Sequence, residues 1–348
     1  MGFVPLCDSA PLIIAKELGL FGAHGLRVQL SREVGWATIR DKIFFGELDA
    51  AHALAPMLFA ARLGLKGPPT ECVAALVLNL HGNAITLSRS LADAARIAGG
   101  LGAFVAGRRG QLVFGIPFLL SSHHFLLRSW LKSLGLDPDG VAQFVVVPPP
   151  QMPMNLKAGH LDGYCVGEPW NSIAVLANCG VITATSAEIA PLHPEKVLMV
   201  PRDFADSRKE EHKQLVAALV KACRFCDVPE NRGQVIEILS QKQYLDAPVE
   251  ALRPGLTGKL DRGDGHFEQS DDFTIFARNN TNEPSADKAA WILEGLRSAN
   301  LCKAPKALNR RLEQEAFSAQ TFDEALRLSE TQHDDENKRA LQAAPALH

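Results

Sequence analysis

At 348 residues, with 47% hydrophobic and 22% charged side chains, the chain is globular in composition and long enough for two domains of ordinary size. A formal net charge of −3 offers no basic face for nucleic acid, so any RNA or DNA role must be indirect. No stretch approaches the ~20 uncharged apolar residues that a membrane span needs.

In chain order, "GFVPLC" reads as a strand. Asp8 or Ser9 then stands at the N-cap of a helix that tolerates Pro11 in its first turn and stops near Gly19. This opening lacks a basic n-region, and its apolar run is broken by Pro5, Asp8 and Pro11, so no secretory leader is expected and a cytoplasmic, soluble protein is. "LRVQLSREV" predicts a strand, and "WATIRDKIFF" a helix with Trp36, Ile39 and Ile43 at helical spacing. After the helix "PMLFAARLG", the run "ECVAALVL" has the character of a parallel strand buried on both sides.

Beyond "GNAITLS" the rhythm restarts. Strands "GQLVFGIP", "AQFVVVPPP", "DGYCVG" and "VITATS" alternate with helices "HHFLLRSWLKSLGL", "QMPMNLKAGHL" and "EPWNSIAVLANCG". "KEEHKQLVAALVKACRFC" and "NRGQVIEILSQ" are amphipathic helices, and residues 331–348 form a polar tail. The expected organisation is two α/β lobes, residues 1–85 plus 197–330 and residues 86–196, around a ligand cleft.

Seven cysteines without paired spacing argue against a disulfide framework. Cys223 and Cys226 form a C-x-x-C inside a helix, away from the helix N-terminus where such a pair works, so core packing is their expected role. No nucleophile–base pattern, P-loop or dinucleotide turn is present, and no His or Cys spacing suits a metal. No enzyme, cofactor or metal is expected.

Polar residues at the loops between elements are the candidates for a site. Trp36 starts a helix, where an indole N–H and free backbone N–H groups suit an anion; a Trp packed beneath the loop is the alternative. Asn83 follows Gly82 at the first crossing between lobes, as a ligand donor or a turn residue. His123 and His124 open a helix and point about 100° apart, so one can face the cleft and the other solvent. Lys196 precedes a buried strand and needs a counter-charge or a route to water. "DGYCVGEPWN" sets Cys165, Glu168, Pro169 and Trp170 beside one another. The thiol suits a core strand, and Pro169 suits a first helical turn.

Taken together, "GFVPLCDSAPLIIAKELGLFGAHGL", "GWATIRDKI", "LDAAHALAPM", "NLHGNAITLS", "VVPPPQMPMNLKAGHLDGYCVGEPWN" and "HPEKVLM" resemble the nitrate/nitrite-binding solute receptors of ABC transporters, and most of all their cytoplasmic sensor branch (NasS-type). The resemblance runs from about residue 2 to about 300 and implies the type II periplasmic-binding-protein fold. It implies Trp36, Asn83, His123 and Lys196 as the nitrate or nitrite contacts, a donor-rich set with one positive charge and no carboxylate required. Gly82, Glu168, Pro169 and Trp170 would form the cleft wall. Asparagine stands at 83 where the transport receptors carry glutamine, and "SSHH" replaces their "GGTH"; His123 rather than His124 is expected to face the ligand. In bicarbonate-binding relatives an acidic residue and a calcium ion replace the lysine, so Lys196 favours nitrate or nitrite. The sensor branch implies a partner, an antiterminator with an ANTAR RNA-binding domain (NasT-type), controlled by the bound anion. The alternative is a transport receptor for nitrate, bicarbonate or a sulfonate. Enzymes of thiamine pyrimidine synthesis share the fold, but their cysteine-rich motif is missing here.

Overall fold

The computed structural model describes residues 1–330, and the polar tail expected at 331–348 lies outside them. Its strands are β1 (Gly2–Phe3), β2 (Ser31–Arg32), β3 (Ala51–Leu54), β4 (Cys72–His81), β5 (Asn83–Ser88), β6 (Leu112–Ile116), β7 (Ala142–Val146), β8 (Gly163–Gly167), β9 (Gly180–Thr185), β10 (Pro194–Pro201), β11 (Lys259–Asp261), β12 (Phe267–Gln269) and β13 (Thr274–Ile275). They form a sheet in the order β13-β4-β10-β3-β1-β2, a second in the order β7-β6-β8-β5-β9, and the hairpin β11-β12. The chain leaves the first sheet after His81, and Gly82 alone separates β4 from β5. It returns after Thr185 and re-enters the first sheet as β10.

The helices that matter to the site are α1 (Ala10–Glu17), α2 (Trp36–Phe44), α3 (Ala55–Arg62), α4 (Ser122–Ser133), α5 (Trp170–Leu176), α6 (Lys209–Asp227), α7 (Val249–Thr257) and α8 (Ala286–Ser298). Of these, α1 and α6 cover one face of the first sheet and α3 and α8 the other, while α4 and α5 pack on the second sheet. Val73, Ala75 and Leu78 of β4 enter a core shared with α1 and α6, while Ala74, Val77 and Leu80 enter another shared with α3 and α8. Burying each such aliphatic side chain contributes about 1.5–3 kcal/mol. Among the described residues no helix is long and apolar enough to cross a membrane.

Several expectations need correction. The run "ECVAALVL" is buried on both faces, but β4 pairs antiparallel with both β10 and β13. Two-sided burial comes from the covering helices, and it does not report strand direction. "GFVPLC" is strand only at Gly2–Phe3, and "LRVQLSREV" only at Ser31–Arg32. Asp8 and Ser9 make no side-chain cap to α1. Pro169 sits at the N-cap of α5, one position before the first turn.

Candidate functional site

Lys196 lies within β10, opposite Leu54 of β3 and Asn79 of β4. Successive strand residues normally face opposite sides of a sheet. Here the register with β4 shifts on both sides of Lys196, and this irregularity lets Glu195 and Lys196 turn toward each other. The Lys196 ammonium donates to Glu195 Oε1 at 2.7 Å and to Asp8 Oδ2 at 2.6 Å. Asp8 lies in the short turn Cys7–Ser9 that follows β1, and its other oxygen is 2.9 Å from His52 Nε2 on β3. The sheet order β10-β3-β1 therefore brings this ammonium and two carboxylates into one row.

Trp36 opens α2, and the Lys196 ammonium stands 5.4 Å from its ring centroid, a cation–π distance. The same indole lies 5.4 Å from the His52 ring. His123 comes from the first turn of α4, and its Nε2 is 3.7 Å from Glu195 Oε1. Ser122 donates to the other Glu195 oxygen, from which His193 Nδ1 is 3.8 Å away. Asn83 opens β5 opposite Gly167 of β8. A Cβ added at Gly167 would lie 3.3 Å from Asn83 Oδ1 and 3.6 Å from Asp8 Oδ2, so that glycine leaves room for the amide and the carboxylate to sit side by side.

Trp36, Asn83, His123 and Lys196 thus share one neighbourhood, and all are at most 1% exposed. Trp36 Nε1, both amide atoms of Asn83 and both ring nitrogens of His123 have no hydrogen-bonding partner in the protein. Buried polar groups are nearly always paired, because leaving one unpaired costs about 1–3 kcal/mol. Several of these unpartnered groups gather around one ammonium.

The electrostatics are more balanced than a single positive charge. Burial opposes the charged form of Lys196, but Asp8 and Glu195 outweigh it and hold the ammonium above its ordinary pKa. Burial likewise opposes ionisation of Asp8, yet Lys196 and His52 hold it well below the usual carboxylate range. Glu195 is brought down to about 2, its burial cost outweighed by Lys196, His123 and His193. Burial lowers His123 to about 4. The donor set was expected to need no carboxylate; the structure nonetheless places two beside Lys196, and its counter-charge is supplied by the protein.

His124 is buried too, against the expectation that it faces solvent. Its Nδ1 is 3.0 Å from the Leu119 carbonyl and its ring lies 4.8 Å from Phe144, away from the Lys196 cluster. Gly82 is the crossing itself, with φ of 89° and its N–H on the Phe273 carbonyl at 2.7 Å. Glu168 accepts from the Ser172 N–H at 3.0 Å and presses against Gly255 of α7, and burial raises its carboxyl to about 7. Trp170 packs at the seam between cores of the two sheets. With Pro169 between them, these residues join the lobes and do not touch Lys196. Cys165 is a buried core residue of β8, and burial pushes its thiol well up.

The residues that sequence reasoning missed are Asp8, His52, Glu195 and His193. Glu195 adjoins Lys196 in "HPEK", but strand alternation would have sent it to the other face. His193 opens the same motif, and nothing local marks Asp8 or His52.

Two α/β lobes joined by crossing segments, with a buried polar cluster at the crossing, are the architecture of the solute-binding proteins. The chain belongs to the NMT1-like family, whose profile matches residues 1–240. It is 40% identical over 311 residues to the nitrate import ATP-binding protein NrtC of Synechocystis, covering 88% of this chain and 46% of that protein. It is 36% identical over 306 residues to the bicarbonate transport ATP-binding protein CmpC of Synechococcus elongatus, covering 85% of this chain and 44% of that one. The chain thus spans about half the length of these curated relatives. Among solved structures, the periplasmic nitrate-binding protein NrtA from Synechocystis superposes with a TM-score of 0.87 at 27% identity, covering 94% of this chain and 87% of that one. The architecture is the type II periplasmic-binding-protein fold.

Proposed function

We propose that this chain binds nitrate or nitrite between its lobes, with Trp36, Asn83, His123 and Lys196 as the contacts. The observation that carries this reading is the set of orphaned donors on Trp36, Asn83 and His123 beside the Lys196 ammonium. Nitrate has three acceptor oxygens and no hydrogen, so a site rich in unpaired donors suits it. The likeness to NrtC and NrtA supports the same choice. With four heavy atoms at about 1.5 kcal/mol each, the ceiling is about 6 kcal/mol, or tens of micromolar.

A thermal-shift panel of nitrate, nitrite, bicarbonate with and without calcium, and sulfate tests the assignment. Ligand at 100 times Kd adds about 2.7 kcal/mol of stability. No shift with nitrate or nitrite would remove the proposal. Bicarbonate is the second reading, favoured by the likeness to CmpC and by Glu195, which can accept from a ligand hydroxyl.

On the same reading the chain is a cytoplasmic sensor of the NasS type. Its lobes close on the anion and change the surface offered to an ANTAR-domain antiterminator of the NasT type, which regulates nitrate assimilation. The net charge of −3 leaves RNA contact to the partner. Co-purification of the two proteins, released by millimolar nitrate, is the expected result; a complex indifferent to nitrate and nitrite would refute it. Cell fractionation tests the location.

A further inference from the structure

The carboxylates around Lys196 create a charge problem for an incoming anion. Asp8 and Glu195 face one ammonium, so two negative charges against one positive leave a net −1 while the imidazoles are neutral. A monoanion would bring this to −2 among side chains at most 3% exposed, where charge is weakly screened.

Hydrogen bonding poses the same problem in another form. Neither ring nitrogen of His123 has a partner, and Glu195 Oε1 lies 3.7 Å from one of them. A carboxylate only accepts, and so does nitrate. A neutral imidazole carries a single N–H. With Glu195 toward one nitrogen and nitrate toward the other, a neutral ring would aim its lone pair at an acceptor. Two N–H groups, one for each acceptor, remove the conflict.

We propose that the site takes up one proton with each nitrate ion, that the proton lodges on His123, and that Glu195 is the positioning residue that draws it there. This rests on the nitrate reading above. The charged and titratable groups facing His123 are Glu195 and Lys196 of β10, Asp8 from the turn after β1, and His193 just before β10. Lys196 is already protonated, and Asp8 and Glu195 are held ionised by it. His52 has one nitrogen committed to Asp8 at 2.9 Å, and His193 has one committed to the Pro194 carbonyl at 3.2 Å. His123 is the ring in the cluster with both nitrogens uncommitted. Burial leaves it neutral at neutral pH in the free protein, so the proton must come from solvent as the anion enters. An oxyanion that carries its own hydrogen, such as bicarbonate, brings the same charge but also a donor, where nitrate offers only acceptors.

The test is calorimetric titration of the whole chain with sodium nitrate near pH 7, in buffers of widely different ionisation enthalpy. The observed heat should vary linearly with buffer enthalpy, with a slope of about one proton taken up. The apparent Kd should weaken about tenfold per pH unit above neutrality. His123→Gln, checked for folding by circular dichroism, should bind more weakly with a slope near zero and a Kd independent of pH. In Glu195→Gln the carboxamide can donate to a neutral ring, so the slope should fall well below one while binding persists. Wild-type nitrate binding with zero slope would overturn the proposal and leave the nitrate assignment standing. A full slope in Glu195→Gln would overturn the role of Glu195, even if His123→Gln fails to fold. No nitrate heat in any buffer would overturn the nitrate assignment and this inference with it.

Discussion

Replacing Lys196 by methionine removes the charge that holds two buried carboxylates while keeping most of the side chain's length. Its ammonium stands 2.6 Å from Asp8 and 2.7 Å from Glu195, and the three residues are at most 3% exposed. Removing one partner of a buried ion pair costs about 3–5 kcal/mol, because an uncompensated charge stays behind. Urea unfolding at pH 7 should show a loss of that size. The pH dependence gives a second, independent check. In the native protein Glu195 titrates at about 2 and Asp8 is also held well down, so their contribution is present above the ordinary carboxylate values and lost as pH falls through the folded ones. In Lys196→Met the largest attraction is gone, and burial, which pushes a carboxyl up, is opposed only by His52 at Asp8 and by His123 and His193 at Glu195. The folded variant then binds protons that its unfolded chain does not, and protonation of His52 or His123 acts in the same direction. Its deficit should shrink by at least about 1 kcal/mol between pH 7 and 5, the equivalent of roughly one pKa unit. A deficit below about 1 kcal/mol at pH 7, or one constant across this range, would refute the buried-triad account.

Trp36→Phe removes an indole N–H with no protein partner, so the ligand-free protein should lose little stability while nitrate binding weakens about tenfold, the worth of one hydrogen bond to a charged acceptor. Equal loss in both measurements would point to packing instead. Gly255→Ala places a methyl 2.7 Å from Glu168 Cβ and Cγ, and should cost about 1–3 kcal/mol in chemical unfolding. Six of the seven cysteines are buried, so a thiol reagent should label Cys179 first in the native protein and Cys223 and Cys226 only on unfolding. Burial holds His123, His124 and His212 at about 4 and His193 at about 3. Below pH 6.5 the unfolded chain therefore binds more protons, and stability should fall by about 1.4 kcal/mol per pH unit for each ring. Circular dichroism should show unfolding before pH 4, and retention of the fold there would contradict these assignments.

The residues of the candidate site stood out in the sequence because they lie at punctuation. Trp36 and His123 open helices, and Asn83 follows the glycine between β4 and β5. Lys196 was recognisable as a charge that needed an explanation. Its partners were not, because each depends on long-range geometry. Asp8 has the local look of a helix cap, and only the row β10-β3-β1 turns it onto the lysine. His52 lies in a strand of four buried residues and shows no polar periodicity. The mixed direction of the sheets was illegible for a related reason: a strand covered by helices on both faces has the same composition whichever way its neighbours run.

The irregularity of β10 beside β4 makes the site a matter of phase. On a regular strand, inserting or deleting a residue at either end slides the ladder and leaves each neighbouring pair divided between faces. Here the pairing slips on both sides of the lysine, and the Glu195 and Lys196 side chains meet at 2.7 Å. A one-residue deletion just upstream would let the ladder fall back into step. Glu195 would then swing to the opposite side, and the ammonium would keep Asp8 alone. The cluster would pass from net −1 to neutral without the loss of a single one of its charged residues. Within such a fold, ligand preference can therefore drift through spacing as well as through substitution.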